Sequence, residues 1–302
     1  MKNKLNKNLT NLRNFFELIY TTGSATREEV DSFLRETLKF VFNENALNVE
    51  DYEVNFHFLP SKSNKKPNQK LSKQQMKDNM LVGGFCAYVQ ADEADDRKFD
   101  VYFPQEMRSF KITTPFQCGK NRDYDEALDE YIERFGNYFN FIFTLLHEYS
   151  HIIQYITMPD IMAEADETEI NHAKIEYATK KFMPNSKEKR LLLRLLENYF
   201  KASSYTCESE MDADEQATQY YTDILCQIIN AEQNAELVDF LLANYQFVEH
   251  AHRSSKKHQY IFKPQLYETS ARLENIYEGN TENKSLTAQI DDALTKLELE
   301  DC

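Results

Sequence analysis

A chain of 302 residues, 41% of them hydrophobic, is long enough to bury a sizeable core. Its 50 acidic against 35 basic residues give a formal net charge of −15, whose overall field repels nucleic acid and anionic membrane surfaces. Five cysteines, Cys86, Cys118, Cys207, Cys226 and Cys302, are odd in number and widely spaced, with no C-x-x-C pair, which speaks against a disulfide framework or a cysteine zinc site and predicts a reducing compartment.

In chain order, the start "MKNKLNKNLTNLRNFFELIY" is basic, but Arg13 and Glu17 break its apolar part and no small-residue cleavage site follows, so it does not read as a signal peptide. The longest apolar run, "FNFIFTLL" at 139–146, is far shorter than the roughly 20 residues a membrane-spanning helix requires. These features together predict a soluble, cytoplasmic protein without membrane partners.

Two helices open the chain, Leu9 to Tyr20 and "TREEVDSFLRETLKFVF", the second with Thr26 as N-cap and Glu29 completing a capping box. Phe33, Leu34, Leu38 and Val41 fall on one face of that helix and predict core. "YEVNFHF" (52–58) alternates as a strand, with Val54, Phe56 and Phe58 on one side. Residues 60–80 hold six lysines and one aspartate and read as a solvated loop; its lysine-rich part, 62–77, is the only segment suited to an acidic or nucleic-acid partner. "GGFCAYVQ" (83–90) and "KFDVYF" (98–103) read as two further strands joined by the polar hairpin connection "ADEADDR".

From Tyr124 onward the pattern is helical, with segments at 124–135, 137–157, 167–182, 187–203, 209–230, 234–250 and 285–299, and breaks at Pro159, Pro184 and "EGNTEN". "EHAHRSSKKH" (249–258) reads as cations ending a helix rather than as a second metal site. The tail carries Leu286, Ile290, Leu294 and Leu297 on one face and is expected to dock. Helices, then a few strands, then many helices predict an α+β protein, mostly helical, with a small mixed sheet.

The chemistry centres on "TLLHEYSHIIQY" (144–155). His147 and His151 are four apart, about 40° of rotation on an α-helix, so both imidazoles leave one face and can share one ion. By composition, His-Glu-x-x-His turns up by chance in roughly one or two of every hundred chains of this length, so its context has to decide. Here it ends an apolar helix expected to run through the protein's middle, where a polar cluster needs an explanation. A catalytic zinc takes three protein ligands and leaves a fourth position for water. Glu148, about 100° away from His147, suits a general base rather than a ligand.

The third ligand is expected downstream, in "CESEMDADEQATQYYTDILCQII" (207–229), which gathers Glu208, Glu210, Asp212, Asp214 and Glu215 at a helix start, although acids suit a helix N-terminus for dipole reasons alone. Glu210 and Asp214 share a face with Ala217, so one can bind metal while the other orients a ligand histidine, and the small Ala213 and Ala217 permit close approach. Glu208 with Asp212 has the same spacing and competes; His172 and Glu164 are weaker candidates on another helix. Tyr205, Tyr220, Tyr221, His250 and His252 are available as donors to an oxyanion, with nothing in the sequence to choose among them.

"HEYSH" followed by "EMDADEQA" resembles the gluzincin branch of the zincin metallopeptidases, whose third ligand is a glutamate on a second helix. The resemblance, which covers roughly residues 80–230, implies a zincin-like catalytic domain with one Zn2+ held by His147, His151 and Glu210. It makes Glu148 the base and Asp214 the partner of a ligand histidine. It also implies an endopeptidase acting on a protein or peptide substrate through a metal-activated water, the substrate lying along a sheet edge upstream of the catalytic helix. The 58 residues between His151 and Glu210 exceed what compact members use, so residues 160–205 read as a helical insertion. The expected organisation is N-terminal helices at 1–48, a catalytic domain at 49–254 and a C-terminal extension at 255–302. Two alternatives stay open: a catalytically silent zincin-fold binding protein, and a regulator-cleaving or DNA-associated protease steered by its lysines.

Overall fold

The computed structural model describes residues 5–59, 87–92, 95–104, 108, 110–112, 129–279 and 284–301. They are mostly helical, with a small mixed sheet, in keeping with the α+β expectation. The chain divides into two compact units, Met1–Thr157 with Ala213–Arg253, and Met158–Asp212 with Ser254–Cys302.

In the first unit, α1 (Lys7–Thr22) begins where the Asn6 side chain accepts the Leu9 N–H at 2.8 Å. It stops at Gly23, whose φ of 64° closes the helix with an N–H bond to the Ile19 carbonyl. After the short β1 (Ser24–Ala25), α2 (Arg27–Glu44) starts with the expected capping box. Thr26 Oγ1 accepts the Glu29 N–H at 3.3 Å, and the Glu29 carboxylate accepts the Thr26 N–H at 2.7 Å. Phe33, Leu34, Leu38 and Val41 are buried, as their spacing predicts.

A 3-10 turn (Val49–Asp51) leads into β2 (Glu53–Leu59), followed by β3 (Tyr88–Ala91) and β4 (Lys98–Pro104) in a sheet of order β2-β4-β3. β3 and β4 pair antiparallel, the expected hairpin, whereas β2 and β4 pair parallel with Phe56 opposite Val101. β5 (Phe110–Lys111) pairs antiparallel with β1, a pairing that no sequence pattern announces. Of the strand expected at 83–90, residues 83–86 lie outside the described residues, as does the lysine-rich segment 62–77. Along β4 burial alternates, with Phe99, Val101 and Phe103 turned to the core.

Helix α3 (Asp129–Thr157) is one 29-residue helix rather than two, with residues 124–128 outside the described set. Gly136 lies buried inside it, and the packed surroundings outweigh the roughly 1 kcal/mol a helical glycine costs. Ile132, Phe135, Tyr138, Phe139, Phe141, Ile142, Leu145 and Leu146 are all buried, so α3 runs through the centre of this unit as its apolar run predicts. Each such side chain contributes about 1.5–3 kcal/mol on removal from water. Tyr149 continues the face, packing on Phe56 of β2 and donating to the Leu34 carbonyl of α2 at 2.8 Å. The core is completed by Ala217, Tyr220, Tyr221, Ile224, Leu225 and Ile228 of α6 (Glu208–Ala231) and by Leu237, Phe240, Leu241 and Val248 of α7 (Ala235–Tyr277).

The second unit has its own smaller core, drawn from α4 (Pro159–Phe182), α5 (Lys187–Thr206), the distal part of α7 and α8 (Lys284–Asp301). α4 packs on α5 and α8, and Leu286 and Ile290 of α8 are buried beside Leu196 and Leu273. The predicted docking face of the tail is therefore used within the chain. Two expectations are corrected. The break at Pro159 is present, α3 ending at Thr157, but the next helix begins at Pro159 itself rather than at 167, since proline suits the first turn, where its missing N–H has no partner to lose. α7 does not end near residue 250 but continues to Tyr277 through Pro264, a 43-residue helix. "EHAHRSSKKH" is thus mid-helix and compensates no dipole. Its continuation is held by packing, with Tyr205 5.1 Å from the ring of His258 and stacked 5.2 Å from Phe262. Among the described residues no helix is long and apolar enough to cross a membrane.

Candidate metal centre

α3 delivers His147 and His151 from one face, their rings 4.7 Å apart and nearly perpendicular. Their Nε2 atoms are 3.1 Å from each other. Zinc–nitrogen bonds of about 2.0–2.1 Å at a tetrahedral angle put two ligand nitrogens about 3.3–3.4 Å apart, so the pair already approximates one edge of a zinc site.

The second ring nitrogens each face a side-chain oxygen. His147 Nδ1 lies 2.9 Å from Asp214 Oδ1, and His151 Nδ1 lies 2.7 Å from Gln154 Oε1. Asp214 can only accept, and with its amide oxygen toward the ring Gln154 accepts likewise; in this arrangement each neutral imidazole holds its hydrogen on Nδ1 and its lone pair on Nε2.

Glu210 completes the group: one ligand atom from each of His147, His151 and Glu210 lie within 4.8 Å of one another. Glu210 stands one turn before Asp214 on the unbroken helix α6, so one helical face supplies both the carboxylate ligand and the carboxylate behind His147. Ala213 and Ala217, both wholly buried, give α6 the small-residue face expected of it. Among the described residues this is the one such group; Glu208, Asp212, His172 and the cluster at 249–258 are not in it. His172 is instead stacked on Tyr199 at 4.2 Å, with Nδ1 2.8 Å from the Thr168 carbonyl oxygen and its pKa lowered chiefly by burial. The side chain of Glu164 lies outside the described residues.

Glu148 and His151 are buried, at 5% and 8% exposure, while the side chains of His147 and Asp214 keep 16% and 21%. Glu148 and His151 are thus largely withdrawn from bulk water, while His147 and Asp214 remain partly exposed. Of the oxyanion candidates, Tyr221 is spent in the core: its hydroxyl points at the Phe139 carbonyl at 3.5 Å, and burial holds its pKa well above the usual range. Tyr220 accepts from Asn45 Nδ2 at 2.7 Å, and Tyr205 is stacked against Phe262. His252, two residues after His250 on α7, has Nδ1 3.3 Å from Thr218 Oγ1.

The residue that sequence reasoning missed is Gln154. Its only signal was a polar amide three residues after His151 on a helix otherwise buried there, and it is itself wholly buried. No protein-family model, curated protein or solved structure matches this chain.

Proposed function

We propose that this chain is a zinc-dependent metallopeptidase of the gluzincin type, with His147, His151 and Glu210 as ligands and Glu148 as general base. The observation that carries the reading is the convergence of the two histidine Nε2 atoms, 3.1 Å apart, with the Glu210 carboxylate within 4.8 Å, in His-Glu-x-x-His register with a buried glutamate. Two imidazoles and one carboxylate are a zinc donor set that leaves one position open. When bound there, the ion would supply Lewis acidity and bring the pKa of a water on it toward about 7.

The chain's own groups do the rest. Asp214 and Gln154 hold the two histidines in the metal-accepting tautomer. Glu148 takes the proton of the attacking water and returns it to the leaving amine nitrogen, so its charge is restored at each turnover. The peptide substrate is inferred from the resemblance of "HEYSH" and "EMDADEQA" to gluzincins.

The test is hydrolysis of unstructured protein substrates by the purified chain, before and after chelation and for Glu148→Gln. The expected result is activity abolished by chelation, restored by zinc, and lost in Glu148→Gln while zinc is retained. Undiminished hydrolysis by Glu148→Gln would contradict the assignment of the base.

A further inference from the structure

We infer that Gln154 is a positioning residue for His151, fixing the tautomer and the ring angle through which that histidine meets a metal. The inference rests on the metal reading above and deepens it. Gln154 lies three residues after His151 on α3, and side chains on a helix lean toward its N-terminus, so the amide reaches back one turn to the ring. Its Oε1 is 2.7 Å from His151 Nδ1, in a contact where Gln154 is wholly buried and His151 nearly so. At that depth neither group has bulk water as an alternative partner, so the bond fixes the ring orientation.

The two orientations of the amide have opposite consequences. With Oε1 toward the ring, Nδ1 carries the hydrogen and Nε2 carries the lone pair that can coordinate. With the amide nitrogen toward the ring, Nδ1 must accept, Nε2 carries the hydrogen, and His151 offers a metal nothing. The first orientation parallels the arrangement at His147, where Asp214 can only accept.

The two supports also differ in kind. Asp214 places a carboxylate behind His147, whereas a neutral amide stands behind His151, so the buried histidine is oriented without a second buried charge.

The experiment compares zinc affinity, by competition with a chromophoric chelator, for the full-length wild type, Gln154→Met and Gln154→Glu. Methionine keeps the volume and removes the acceptor; glutamate keeps the acceptor. The expected result is about 10- to 100-fold weaker zinc binding in Gln154→Met and recovery toward wild type in Gln154→Glu. The nitrogen-15 spectrum of the metal-free wild type should show the hydrogen of His151 on Nδ1, a readout that stands even where a variant fails to fold.

Wild-type affinity in Gln154→Met, a loss that glutamate does not recover, or a hydrogen on Nε2 in the wild type would each overturn the role of Gln154. A wild type that takes up no zinc at all would overturn the metal reading itself, and is distinguished from those outcomes by the unsubstituted protein alone.

Discussion

At the scale of single residues, Glu232 ties two elements of the first unit together with a clear electrostatic signature. This carboxylate follows α6 directly and accepts from Arg13 of α1 at 2.7 Å, and from the backbone N–H groups of Gln233 and Asn234 at 2.8 and 2.9 Å. Burial works to raise its pKa, but the Arg13 hydrogen bond and those of the two backbone amides outweigh it and hold the carboxyl at about 2, against an ordinary 4.5. A carboxyl that is lower in the folded state stabilises the fold above its unfolded pKa and loses that contribution as pH falls through the folded value. Thermal melts should therefore show Glu232→Gln less stable than wild type near neutral pH, with the difference shrinking between about pH 4.5 and 2. A difference that stays constant with pH would assign the effect to packing.

The residues of the candidate site were more legible than Glu232. His147, Glu148, His151, Glu210 and Asp214 sit at spacings that helical geometry converts directly into shared faces. Gln154 was not legible, because a glutamine in a helix is ordinary until tertiary packing buries it.

At the scale of elements, local sequence rules explain most starts and stops. The Thr26 and Glu29 side chains satisfy two backbone donors at the head of α2, and Thr26→Ala should cost about 1 kcal/mol in chemical unfolding. A change within error would show that the packed face of Phe33, Leu34, Leu38 and Val41 alone fixes where that helix begins.

Rules of the same kind misled where a residue has two meanings. Pro159 punctuates as well as initiates, and Gly136 weakens a helix only where nothing packs on it. Pro264 removes one backbone hydrogen bond from α7, yet Leu273 and Ile276 beyond it are buried in a core, which keeps the helix going. The parallel pairing of β2 with β4 was out of reach of any periodicity, because alternation marks a strand but not its neighbour.

At the scale of the whole molecule, the division into two units follows from which helices share a core, not from linkers of distinctive composition. α6 and α7 each contribute residues to both units, so no Gly- or Pro-rich boundary marks the division. α6 also joins two roles on one rod: Ala217, Tyr221, Ile224 and Leu225 anchor it in the first core, and Glu210 and Asp214 extend the same helix at the histidines. Metal binding at this group would therefore be coupled to the folding of α6, because an ion that binds only the folded chain stabilises it.

The most direct measurement of the central claim is the zinc content of the purified protein after chelation, reloading and removal of free metal, for wild type, Glu210→Ala and Glu208→Ala. The account predicts one zinc per chain in wild type and Glu208→Ala and its loss in Glu210→Ala. Zinc absent from the wild type, or released by the Glu208 substitution alone, would contradict it.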